Sequence, residues 1–153
     1  MDAFGGFPKV RAIFYAEFHT TQGPKVCFEY PEGSTKAALT SSSTAPSISG
    51  TTPESLISNV VPTESVTSSD PVVFDSISEY VIPKPELCGR LVKTTTLSHT
   101  IMGFPVSLED TKYERNALIF NLCFVFGPED ETAAYGQVVR KMARVLKSLE
   151  VNK

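Results

Sequence analysis

Residues 118–126 form the longest apolar run in the chain, and the run is apolar at both parities of a two-residue period. Leu118, Phe120, Leu122, Phe124 and Phe126 fall on one side, while Ala117, Ile119, Cys123 and Val125 fall on the other. A strand with one wet side alternates cleanly, whereas one that is oily on both sides must be covered above and below. The run therefore predicts a central strand in a sheet with helices on both faces. Lys112, Glu114 and Arg115 make a charged mouth just before it.

The rest of the chain supplies partners for that strand. Residues 10–18 set Ala12, Phe14, Ala16 and Phe18 against Arg11, Ile13, Tyr15 and Glu17, which predicts a strand with one well-buried face. Gln22, Gly23 and Pro24 make a turn, and residues 25–30 return as the second strand of a hairpin. Asp70 and Pro71 have the form of a helix cap followed by a first-turn proline. Phe74, Ile77 and Val81 then recur at helical spacing, so a short amphipathic helix is expected to end by Pro83. Residues 91–96 and 101–108 predict two more strands joined around His99, a turn position expected to be solvated. Pro105 cannot donate to a ladder and is expected at a bulge, a strand end or a position whose N–H would face no partner. After Gly127 and Pro128, the carboxylates of Glu129, Asp130 and Glu131 are expected in the first turn of a last helix, where the macrodipole favours them. Tyr135, Val139, Met142, Leu146 and Leu149 would be its apolar stripe, with Arg140, Lys141, Arg144 and Lys147 outside it. The order β-β-α-β-β-β-α implies the α/β (α+β) class, with an antiparallel sheet between helices.

Composition changes this picture at one place. Of the 38 residues from 33 to 70, 18 are Ser or Thr, so the segment cannot bury enough apolar surface to offset its ordering entropy. It is expected as a disordered insertion in a single domain spanning 1–153. The formal charge of −3 argues against a nucleic-acid groove, which leaves a basic footprint. With no run of 18 apolar residues and no basic start followed by an apolar stretch, the expectation is a soluble, intracellular chain. Cys27, Cys88 and Cys123 are too widely spaced for a zinc site or a disulfide framework, and Cys27 and Cys123 read as small core residues.

The chemistry census yields no self-contained active site, so the chain is not expected to be an enzyme on its own. No phosphate-binding glycine loop sits between a strand and a helix, and His19 and His99 both fall in turns. No cofactor and no metal are expected. A protein without its own chemistry can still complete another's site: an arginine supplied in trans to a GTPase accelerates hydrolysis by ~10³- to 10⁵-fold. Arg115, at the turn feeding the central strand, meets the need for an exposed arginine on a rigid support, as other arginines do on composition alone. The plain alternative is a strand-end ion pair with Glu114 or Glu109, worth ~0 to 1 kcal/mol.

Four segments carry a resemblance: AIFYAEFHTTQGPKVCFEYPE at 12–32, VIPKPEL at 81–87, IMGFPVSLED at 101–110 and KYERNALIFNLCFVF at 112–126. Together they resemble the N-terminal region of the nitrogen permease regulator 2 family. The resemblance implies a longin-like domain, a five-stranded antiparallel sheet flanked by helices. It implies a longin–longin heterodimer with the nitrogen permease regulator 3 paralogue, joined to a DEP-domain scaffold subunit. Such a SEACIT- or GATOR-type complex activates GTP hydrolysis by Rag- or Gtr-type small GTPases and so restrains the TOR kinase when amino acids or nitrogen are scarce. It also implies a cytoplasmic protein held peripherally at the vacuolar or lysosomal membrane. The arginine finger of the family maps to Arg115, with Tyr113 and Asn116 in supporting positions.

Two features depart from the pattern. The insertion is longer than the match requires, and the chain ends where the longin pattern expects one more helix. That suggests an N-terminal fragment whose exposed apolar patch could drive a homodimer. The alternative function is a non-catalytic longin adaptor for dimerisation and trafficking, with Arg115 a structural strand-end residue.

Overall fold

A computed structural model of the protein describes residues 8–36, 70–113 and 117–153. The predicted hairpin is β1 (Ala12–His19) and β2 (Gly23–Tyr30), paired antiparallel. A small parallel pair follows, β3 (Thr35–Lys36) with β4 (Val72–Val73), then the helical turn α1 (Ser78–Val81). Strands β5 (Val92–Thr95), β6 (Thr100–Gly103), β7 (Val106–Glu109) and β8 (Ala117–Phe126) precede the final helix α2 (Gly136–Val151). The sheet runs β2-β1-β8-β6-β5, with β7 also on β8, so the run that is oily on both sides is indeed the central strand. Its pairings with β1, β6 and β7 are all antiparallel.

Both faces of β8 are covered, as its sequence requires. Ile119, Cys123 and Val125 pack with Ala12, Phe14 and Ala16 of β1 against Phe74, Ile77, Val81 and Ile82. Phe14 and Phe74 meet edge to face, with ring centroids 6.1 Å apart. On the opposite face, Phe124 and Phe126 pack with Val139 of α2, and Phe120 packs with Ala143.

The strand expected over 101–108 is two strands, because Phe104 and Pro105 interrupt it. Pro105 sits at that break, as its missing N–H requires. Asn121, an amide inside the apolar run, repairs the damage. Its Oδ1 accepts from the Phe104 N–H at 2.9 Å, and its Nδ2 donates to the Val81 carbonyl at 2.8 Å. The amide lies so close over Gly103 that a Cβ there would stand 2.5 Å from Oδ1, so only glycine leaves room.

The helices differ from expectation. Asp70 and Pro71 do not cap one: Val72 and Val73 are extended, and the Val72 N–H donates to the Ser34 carbonyl at 2.7 Å. Two β-branched residues favour that strand, and helical turns begin only at Phe74. Before α2, Asp130 Oδ2 accepts from the Gly127 N–H at 2.7 Å and Glu131 Oε1 from the Ala133 N–H at 3.1 Å. Those carboxylates hold the turn, and α2 starts at Gly136 with no acid in its first turn. The buried stripe of α2 is Val139 and Ala143 with half-buried Leu146, whereas Met142 and Leu149 are 39% and 60% exposed. Small Ala143 lets the helix approach the sheet, which turns Met142 and Leu149 outward. The cationic side of α2 (Arg140, Lys141, Arg144, Lys147) is solvent-exposed.

Of the segment expected to be an insertion, Gly33 to Lys36 belong to the described fold and residues 37–69 lie outside the described residues. Among the described residues no helix is long and apolar enough to cross a membrane.

Candidate functional site

The last register pair of β7 and β8 is Glu109 with Ala117, so residues 110–116 connect two paired strand ends. Asp110 organises the first half of this connection: its Oδ1 accepts from the Lys112 N–H at 3.1 Å, and its carbonyl from the Tyr113 N–H at 3.2 Å. Arg115 and Asn116, the predicted finger and one of its supports, lie outside the described residues. Tyr113, the other support, is half-buried, and it is tied to a distant element.

That element is the C-terminal turn of α2. The Tyr113 hydroxyl donates to Glu150 Oε1 at 3.0 Å, and Lys112 Nζ donates to the Glu150 carbonyl at 2.9 Å. Lys112 Nζ also stands 5.2 Å from the centre of the Tyr113 ring, and Lys153 Nζ pairs with Glu150 Oε2 at 2.6 Å. The Glu150 carboxyl is held below the usual carboxylate range, chiefly by Lys153 and then by the Tyr113 hydroxyl. Desolvation, followed by Glu150, pushes the Tyr113 hydroxyl above its ordinary value. Both shifts stabilise the same arrangement, a neutral phenol donating to a carboxylate. Beside it opens a cleft of about 600 Å³ whose lining includes Tyr15, Phe28, Leu118 and Leu149.

Sequence reasoning missed Glu150, because nothing in a helical charge pattern signals a contact 37 residues away. It also passed over Asn121, for which a signal existed: a lone amide inside an otherwise apolar run.

A second polar cluster lies away from this mouth. His99, expected to be solvated, is only 5% exposed and borders a cleft of about 250 Å³ with Arg11 and Asp70. The turn folds inward because Thr96 clamps it: the His99 N–H donates to Thr96 Oγ1 at 3.1 Å and the Thr96 N–H to the His99 carbonyl at 2.8 Å. Burial lowers the His99 pKa, opposed by contact with Asp70 and aided by Arg11. The unfolded chain then binds the proton more readily, so stability is present above the free-histidine value of about 6.5 and is lost as pH falls from there toward the folded value. Thermal melts between pH 7.5 and 5 should show that decline, and His99→Gln should flatten it. An unchanged profile in the variant would remove His99 as the cause.

Cys123 is buried in the core, as expected. Cys27 is not: it is half-exposed, because β2 is an edge strand. Among the described residues no group of three His, Cys, Asp or Glu side chains could hold a metal ion.

Residues 8–153 match the nitrogen permease regulator 2 family. The chain is 36% identical over 151 residues to the nitrogen permease regulator 2 homolog of Schizosaccharomyces pombe, covering 98% of this chain and 31% of that protein. It is 27% identical over 147 residues to nitrogen permease regulator 2 of Saccharomyces cerevisiae, covering 96% and 19%. With the GATOR complex protein NPRL2 of Drosophila melanogaster the identity is 32% over 143 residues, covering 93% and 26%. The chain thus spans about a fifth to a third of the length of these relatives. The family match takes in both faces of the sheet, the 110–116 connection and the helix that braces it, and the protein belongs to the nitrogen permease regulator 2 family.

Proposed function

We propose that this chain is the longin-like part of a subunit of a GTPase-activating complex for Rag- or Gtr-type small GTPases, and that it supplies Arg115 as an arginine finger. The observation that carries this reading is the position of Tyr113, which opens the Tyr-x-Arg-Asn-Ala-Leu motif. It is held at the mouth of the central strand by α2, and a finger needs such a rigid presenter. Family membership and a relative named as a GATOR complex protein support a role in a complex that answers to nitrogen or amino-acid supply. On this reading the chain pairs with the nitrogen permease regulator 3 paralogue and a DEP-domain scaffold, restrains the TOR kinase, and works at the vacuolar or lysosomal surface.

Exposed apolar side chains favour an assembled protein. Val138, Met142, Val145 and Leu149 recur at i, i+4, i+7 and i+11 along one flank of α2, each 39% exposed or more. Phe28 and Tyr30 on β2 are 74% and 78% exposed. Partner pairing would bury part of this surface, and the isolated chain would hide it by forming a homodimer.

The test is reconstitution. The subunit carrying this chain, assembled with the paralogue and scaffold, is expected to stimulate single-turnover GTP hydrolysis by a Rag-type GTPase. Assembly without stimulation would overturn the finger and leave a dimerisation adaptor.

A further inference from the structure

The C-terminal turn of α2 makes three polar contacts at the mouth of the central strand, two of them with the connection itself. Glu150 accepts from the Tyr113 hydroxyl through its carboxylate and from Lys112 Nζ through its carbonyl, while Lys153 holds the second carboxylate oxygen. The Glu150 side chain is only 18% exposed, so the carboxylate bond to Tyr113 is partly shielded from water, while the carbonyl bond to Lys112 is exposed. Asp110 fixes the backbone of the same two residues from the other side. The first half of the 110–116 connection is thus clamped to a helix whose body packs on the sheet, and Ala117 opens β8 in register with Glu109 of β7. Tyr113 packs at the edge of the core beside Leu118 and Leu146, whereas Lys112 is exposed and belongs to no core cluster, so its bond to Glu150 serves the connection and not the packing.

We propose that Glu150 is a positioning residue for the finger, an inference that rests on the reading of Arg115 given above. It holds the Tyr113 phenol and so fixes the chain two residues before Arg115. It touches neither the nucleotide nor the GTPase in this role. A finger acts only when its guanidinium reaches the developing charge on the phosphoryl oxygens, and displacement by about 1 Å from a distant change costs ~10²-fold in rate. Loosening the clamp therefore lowers the chemical step and leaves docking intact.

The experiment measures single-turnover GTP hydrolysis by a Rag-type GTPase across a titration of the assembled complex, which separates the maximal rate from the half-saturating concentration. Glu150→Ala and Tyr113→Phe are each expected to lower the maximal rate by ~10- to 100-fold with the half-saturating concentration unchanged. Combined, they are expected to cost no more than either alone, since both break one bond. Glu150→Gln keeps an acceptor oxygen for the phenol and should recover most of the rate. Tyr113→Phe removes a single oxygen, so it reports even if Glu150→Ala folds poorly. A normal maximal rate in Tyr113→Phe, or a loss confined to the half-saturating concentration, would overturn the positioning role. Arg115→Ala run in parallel keeps the two ideas apart. If it abolishes stimulation while Tyr113→Phe does not, the finger stands and the clamp falls. If Arg115→Ala hydrolyses normally, the finger falls, and the clamp has nothing to position.

Discussion

Arg115→Ala in the assembled complex is expected to lower stimulated GTP hydrolysis by ~10³- to 10⁵-fold, while the complex still forms and still binds the GTPase. The size follows from the chemistry. Charge builds on the phosphoryl oxygens as the bond to the leaving oxygen breaks, and a guanidinium supplied at that moment stabilises the transition state more than the bound ground state. Arg115→Lys should recover little of the loss, because an ammonium group lacks the planar pair of donors. Stability is expected to change by no more than ~0 to 1 kcal/mol, the worth of a strand-end ion pair. Stimulation within a factor of about 3 of wild type would be far below a finger's range and would exclude the role.

Asn121→Leu is expected to be the most damaging single change to the fold, at about 2–5 kcal/mol. Leucine shares the branching of asparagine, so no cavity opens; the loss is chiefly polar, and the crowding of its bulkier methyls over Gly103 adds to it. The Phe104 N–H and the Val81 carbonyl lose their partner at a site only 1% exposed, and each unsatisfied group costs ~1–3 kcal/mol. For a domain of roughly this size, the midpoint of thermal unfolding should fall by about 10 °C or more. The change also unties α1 from the sheet, so amide exchange should rise first over 74–82. A loss below about 1 kcal/mol would show that the amide is not the link between the broken strand and the helical segment.

Periodicity carried much of the architecture. The two-sided apolar run placed β8 at the centre, and alternation in residues 10–18 placed Ala12, Phe14 and Ala16 inward. It failed where local preference competes with pairing: Val72 and Val73 join β3, although a carboxylate and a proline before them suggest a helix. It failed again on α2, where which of two adjacent stripes turns inward depends on the sheet beneath. Tyr135, Val139 and Leu146 lie on or beside the buried side, while Met142 and Leu149 face outward. At the candidate site, only Tyr113 of the three motif residues can be compared, since Arg115 and Asn116 lie outside the described residues.

The sequence by itself determined the fold class, the central strand, an irregularity at Pro105 and the family. These follow from short-range facts: side-chain period, the missing proline N–H and a motif read in order. The tertiary structure alone decided the long-range polar contacts. Asn121 reaches across the strand break to α1, His99 turns inward beside Arg11 and Asp70, and Glu150 clamps Tyr113 from the far end of the chain. Each joins groups tens of residues apart whose meeting depends on how helices seat on the sheet, and no local pattern encodes that seating.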